Sequence, residues 1–153
     1  MTQIARFLCD KDYILRSGAA VGADAAFEAG VCRGCMKEIY LPWKGFNLHH
    51  SNLYNISSEA YALAAEFHPA WGKLSNGPRE LIARNGYQVL GYDLHTPSDF
   101  VVCWTPKGKT VGGTGQAIRI AQAHGIPVFN LGRDKDLDFL KECIKTNQIF
   151  ISK

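Results

Sequence analysis

A chain of 153 residues, 46% hydrophobic and 20% charged, has enough apolar material for one core, and neither disorder nor dependence on disulfides or metal is expected of it. Its 17 lysines and arginines against 14 acids give a formal charge of +3, compatible with anionic ligands but short of the dense basic patches of a dedicated nucleic-acid binder. No apolar run approaches the roughly 20 residues that cross a bilayer and no signal-peptide layout opens the chain, so no membrane association is expected, and a cytoplasmic protein with one domain over residues 1–153 is.

The opening TQIARFLCD sets Ile4, Phe7 and Leu8 at helical spacing and predicts an amphipathic helix. Tyr13 to Leu15 reads as a short strand running into Arg16-Ser17-Gly18, and a helix follows from about Gly22 to Val31. KEIYLPW predicts the next strand, closed by Pro42, which has no N–H to give to a ladder. KGFNLHHSNLYN is a polar and aromatic loop, longer than the usual connection of about 4–6 residues and a candidate for binding; a flap packed on its own aromatics is the plainer alternative.

SSEAYALAAEF predicts a helix capped by Ser57 or Ser58 and stopped at His68-Pro69. GPRELIARNGYQVLGYDL predicts another, with Pro78 suited to its first turn and Gly86 and Gly91 as its weak points. SDFVVCW is a near-continuous apolar strand, TGQAIRIAQAH a helix, Pro127 to Leu131 a strand, and DLDFLKECIK a closing helix. Strands alternating with helices predict an α/β chain with an open parallel sheet, flanking helices and right-handed crossovers.

Five cysteines, an odd number, suit reduced thiols better than a disulfide framework. The pair Cys32 and Cys35 falls at the C-terminal end of the second helix, where the dipole opposes a thiolate, so redox chemistry is not expected there. A zinc finger would have to recruit the adjacent His49 and His50, which lack the spacing of finger ligands; no metal and no cofactor are expected.

Two strand-to-helix junctions are rich in small residues: LRSGAAVGADAAFEAG and KTVGGTGQAIRIA. In an open parallel sheet such junctions lie at the carboxyl ends of the strands, where ligands bind. Gly112, Gly113 and Gly115 clear space for backbone N–H groups and the Thr114 hydroxyl to meet an anion, with Gln116 beside them; Ser17, Gly18 and Gly22 offer the same design. Neither the P-loop pattern nor G-x-G-x-x-G is present. Asp24 suits its helix N-terminus, a ribose hydroxyl or a partner subunit.

SGAAVGAD resembles the SGxAxGxD segment of the SLOG superfamily, which includes the Rossmann domain of DNA-processing protein A, the LOG cytokinin-activating phosphoribohydrolases and nucleotide-sensing domains of bacterial defence proteins. The later half, from ARNGYQVLGYDL through KTVGGTGQAIRIA, is similar to the LOG layout of an arginine-bearing helix, a strand and PGGxGTxxE, and the whole chain is similar to small phage-encoded, DprA-like members. The resemblance implies a Rossmann-like fold. It puts Arg84 at the LOG catalytic arginine and Gly112, Gly113 and Gly115 at the phosphate-binding glycines. Where LOG enzymes carry glutamates after the glycine turn, this chain has Ile118 and Arg119, neither of which supplies a carboxylate for glycosidic cleavage. Family members also begin with a central strand ending in Gly-Ser-Arg, whereas this chain opens on the following helix. The resemblance therefore implies a sheet lacking its usual first strand, with the exposed edges covered by homo-oligomerisation or by a changed strand order.

Three functions follow as expectations. The first is binding of a nucleotide-like small molecule, as a sensor or sponge for a signalling nucleotide, with Arg84 and Lys107 or Lys109 adding charge and Trp43 or Trp104 stacking on a base. The second is cleavage of a nucleotide N-glycosidic bond, which needs a carboxylate from Asp24, Glu80, Asp93 or Asp99. The third is single-stranded DNA binding by analogy with DNA-processing protein A, although no basic stripe is visible.

Overall fold

The computed structural model describes residues 1–149 and 151. Six α-helices and four short strands follow one another along these residues, with two helices in succession between the second and third strands. Helix α1 (Thr2–Asp10) turns Ile4, Ala5, Phe7 and Cys9 inward, close to the predicted face. Strand β1 is Leu15–Ser17, two residues later than the sequence suggests, because Arg16, which reads as a turn residue, is neutralised across the ladder by Glu38 at 2.9 Å. Helix α2 (Ala23–Gly30) follows Gly22, whose φ of 94° is open to glycine.

Strand β2 (Lys37–Ile39) is shorter than expected: Tyr40 leaves the ladder to bridge Leu53 in parallel. The long loop after it contains a 3-10 turn at Phe46–Leu48. Helix α3 (Ser58–Phe67) is capped by Ser57, whose hydroxyl accepts from the Ala60 N–H at 3.1 Å. Helix α4 (Asn76–Leu90) runs unbroken through Gly86, which packs near Leu63, and ends at Gly91 with φ 80°. Strand β3 (Val101–Cys103), helix α5 (Gly112–Ala123), strand β4 (Val128–Asn130) and helix α6 (Asp134–Thr146) complete the order.

Among the described residues the strands form two separate parallel ladders, β1 with β2 and β3 with β4. Successive strand residues point to opposite faces. Val101 and Val128 join Val89, Leu90, Ile120 and Ala121 beneath α4 and α5, whereas Leu15, Val102 and Phe129 join Ile4, Phe27 and Leu140 beneath α1, α2 and α6. The result is an α/β arrangement with helices on both faces, in agreement with the expected class and compatible with an open parallel sheet.

No ladder joins β1 to β3 among the described residues; side chains span the interval instead. Tyr13 meets Phe100 edge-on at 5.2 Å, and Arg16 Nη1 donates to the Thr96 carbonyl at 2.6 Å and to the Ser98 hydroxyl at 3.1 Å. Hydrogen bonds from Leu15 to Met36 and from Tyr40 to Ser17 direct the backbone of residues 15 and 17 toward β2, so the N–H and C=O of Arg16 face the other way. The same alternation turns the Val102 backbone away from β4.

The expectation of five free thiols is corrected: Cys9 and Cys35 are joined in a disulfide. Cys9 is distant in sequence from the C-x-x-C turn, and only the packing of α1 on α2 brings them together. No described helix is long and apolar enough to cross a membrane.

Candidate functional site

A cleft of about 1300 Å³ opens between the two ladders and rises to the carboxyl ends of β1 and β3. It exceeds the roughly 300–1,000 Å³ of a small-ligand pocket because it combines a slot between Leu15-Arg16 and Val101-Val102 with a wider mouth between the two small-residue corners. Ser17, Asp24, Arg84, Trp104, Gly112, Gly113 and Thr114, seven of the residues singled out in the sequence, line this single space.

The α5 corner is rich in unpartnered donors. Gly112 has φ 67° and open space where a side chain would be, and Val111 offers no side-chain cap. The first intrahelical bond is donated by Gly115, to Val111 at 2.9 Å, so among the described residues the N–H groups of Gly112, Gly113 and Thr114 lack backbone acceptors, as the first turn of any helix does. Those donors and the helix dipole favour a negative group.

The β1 corner is held from within. Arg84, 5% exposed, reaches from α4 and donates through Nη1 to the carbonyls of Gly18 and Tyr40, the latter at 3.1 Å. Gly18 is a glycine because a Cβ there would lie 2.5 Å from Arg84 Nη1 and 3.0 Å from the Asp24 carboxylate. Asp24 accepts from the Ala20 N–H at 3.2 Å. Burial pulls the Arg84 guanidinium below its ordinary value while the Asp24 charge pushes the other way, and an arginine stays protonated under such an offset. Its Nη2 makes no protein hydrogen bond among the described residues, and neither does the hydroxyl of the buried Ser17.

The two corners are tied together by a residue that the sequence reading missed. Asn85 follows Arg84 on α4, accepts from Arg84 Nε at 3.1 Å and donates through Nδ2 to the Gly113 carbonyl at 3.0 Å. Asparagine is a poor interior helix residue, so an asparagine beside an arginine in a helical stretch was the available signal.

Several other expected residues lie outside the cleft. Gly18 lies against Arg84 and Asp24, Gly22 has open space where a side chain would be, and Gly115 packs against the Thr110 backbone. Gln116 is fully buried and donates to the Ala64 carbonyl at 3.1 Å, so it ties α5 to α3. Lys107 sits exposed in the 3-10 turn Pro106–Gly108, and Trp43 packs edge-on against Phe46. Of the candidate carboxylates, Asp24 is at the mouth and Asp99 lines the cleft beside Phe100, before β3 begins. Glu80 lines a separate hollow with Tyr61 and Trp71, and Asp93 caps the turn at His95 and Thr96.

The long loop roofs the β1 corner. Phe46 lies over the Arg84 guanidinium at 5.6 Å, Asn47 Nδ2 donates to the Ala19 carbonyl at 2.9 Å, and His49 pairs with Glu28 at 2.8 Å. Comparisons with family models, with curated proteins and with solved structures find no match to this chain.

Proposed function

We propose that the chain binds a nucleotide-derived small molecule in the mouth of the cleft, with a phosphate at the α5 corner and the hydroxyl-bearing sugar at the β1 corner. The observation that carries this reading is the meeting of both corners in one cavity, bridged by Arg84 and Asn85. Unpartnered N–H groups suit phosphate oxygens, while the Ser17 hydroxyl and the Asp24 carboxylate suit sugar hydroxyls. Trp104, 49% exposed on the cleft wall, is placed to stack on a base. The resemblance to the SLOG superfamily and its Rossmann-like fold points the same way.

Binding without turnover is favoured over N-glycosidic cleavage by what stands on α5. Ile118 is buried, and Arg119 donates to the Phe67 carbonyl at 2.8 Å, so the positions of the LOG glutamates hold no carboxylate. Single-stranded DNA binding is less favoured, because the cleft lining mixes cations and acids, with Lys11, Arg16, Arg84 and Arg119 set against Asp12, Asp24, Glu38 and Asp99.

Titration calorimetry against mono-, di- and cyclic nucleotides, with chromatography of the mixtures, tests this. Saturable, salt-tolerant binding with the nucleotide recovered intact is expected. Release of free base would replace the reading with hydrolysis, steeply salt-dependent DNA affinity would replace it with DNA binding, and no binding at all would remove it.

Self-association is a second reading, favoured by the backbone groups of Arg16 and Val102, which turn away from their own ladders into the slot between them, where a strand inserted from a second copy would pair with them. Light scattering on a size-exclusion column should give a dimer or larger; a monodisperse monomer removes this reading.

A further inference from the structure

A second site lies away from the cleft, where α1 and α2 both end. Gly30, the last residue of α2, packs against the Thr2 carbonyl and Ala5 Cβ, a closeness that no larger residue would permit. This draws Cys9, in the last turn of α1, onto the turn Cys32-Arg33-Gly34-Cys35. Gly34 takes φ 93°, and the Cys35 N–H closes the turn on the Cys32 carbonyl at 3.2 Å. Cys9 and Cys35 form the disulfide, and Cys32 Sγ lies 2.7 Å from Cys9 Sγ and 3.0 Å from Cys35 Sγ. All three sulfurs lie within 4.8 Å of one another.

From this convergence we infer that Cys9, Cys32 and Cys35 form a binding site for one thiophilic divalent cation of the zinc class. One S–S bond uses two of the sulfurs and leaves the third crowded against both. A tetrahedral ion with Zn–S bonds of about 2.3 Å would hold three thiolates about 3.8 Å apart, so loading needs outward side-chain movements of about 1 Å and leaves the fourth position to water. The electrostatics suit a cation: the carbonyl ends of two helices, α1 and α2, finish here, which disfavours a bare thiolate but favours a metal. A C-x-x-C turn is also a common two-thiolate clamp for zinc.

The loading step balances simply. A thiol reductant gives two electrons and two protons to the Cys9–Cys35 disulfide, becoming a disulfide itself. The three cysteine thiols then release three protons as their sulfurs bind the cation. The remaining cysteines, Cys103 and Cys143, are buried elsewhere and take no part; burial pushes the Cys103 thiol up to about 11.

The test uses the full chain, expressed without chelator and purified under a thiol reductant. Mass-spectrometric metal analysis should find stoichiometric zinc, lost in C9S and in a C32S/C35S double variant but kept in C103S. In case the cysteine variants do not fold, the wild-type chain is titrated with an organic mercurial, which should release the zinc to a chromophoric chelator, and reloading with cobalt(II) should give a thiolate-to-cobalt charge-transfer band. A reduced, folded protein with no stoichiometric metal and no such band overturns the inference. So does a Cys9–Cys35 disulfide that persists in protein alkylated directly from a reducing lysate.

Discussion

The two small-residue corners of the cleft have the same local design and opposite states. At the β1 corner the chain's own groups take up the backbone: Arg84 holds two carbonyls, Asp24 holds the Ala20 N–H, and the loop bearing Phe46 and Asn47 lies over the top. At the α5 corner, Asn85 takes only the Gly113 carbonyl, and the first-turn N–H groups stay open beside Gly112, which has nothing against it, and Gly113, whose nearest neighbour stands at an ordinary contact distance. Small residues in a turn therefore have two separate physical causes. Gly18 is small because the protein itself needs the space; Gly112 and Gly113 leave space that the protein does not use.

The largest expected effect comes from removing the residue that satisfies the first corner. Arg84→Ala strands two buried carbonyls and the Asn85 side chain, and should lower unfolding free energy in urea by about 3 kcal/mol. Arg84→Lys keeps the charge but cannot fork to Gly18, Tyr40 and Asn85 together, and should fall between that variant and the wild type. Wild-type stability in Arg84→Ala would mean that the β1 corner is not held as described.

Gly18→Ala and Gly113→Ala sharpen the contrast with the same added methyl. At Gly18 the methyl collides with a buried guanidinium, and about 1–3 kcal/mol of destabilisation is expected. At Gly113 the nearest atom is Asn85 Nδ2 at an ordinary 3.7 Å, and alanine is the better helix former, so stability should stay the same or rise by up to about 1 kcal/mol. Gly113→Ala should nevertheless weaken nucleotide binding by about tenfold or more, since the methyl projects where a phosphate must approach. Thermal melts and calorimetry on the two variants would separate these costs. Equal stability losses in both would erase the difference between the corners.

How much of this was legible follows from the range of each cause. Helical periodicity and punctuation by Ser57 and Pro78 are local, and the helices fell near their predicted bounds, although Gly91, expected only to weaken its helix, ends α4 before Leu94. Strand β1 shifted because the ion pair that lets Arg16 sit in a ladder comes from Glu38, on the other side of a helix. Gln116, expected at the ligand, instead turns toward α3, a choice fixed by an Ala64 carbonyl far away in sequence. Asn85 was overlooked although its residue type was unusual for a helix interior. The Cys9 contact had no local signal, because it depends on two helices crossing at Gly30.

The smallest effect concerns the roof over the β1 corner. Burial raises the proton affinity of Glu28, but hydrogen bonds from His49 and Lys37 outweigh it, and its carboxyl ends below the ordinary 4.5. A carboxylate with a depressed folded-state value stabilises the fold above its unfolded value and loses that contribution as pH falls through the folded one. Glu28→Gln should therefore cost about 0.5 kcal/mol at neutral pH, the size of a partly exposed ion pair, with the gap to wild type closing as pH falls below 4.5. Melting curves of both proteins from neutral to acid pH would show the two lines converging. Parallel lines would mean that Glu28 holds the loop by shape alone. Because the loop covers one corner only, loosening it should leave phosphate affinity at the α5 corner unchanged, and a matching loss there would show that the two corners act as one unit.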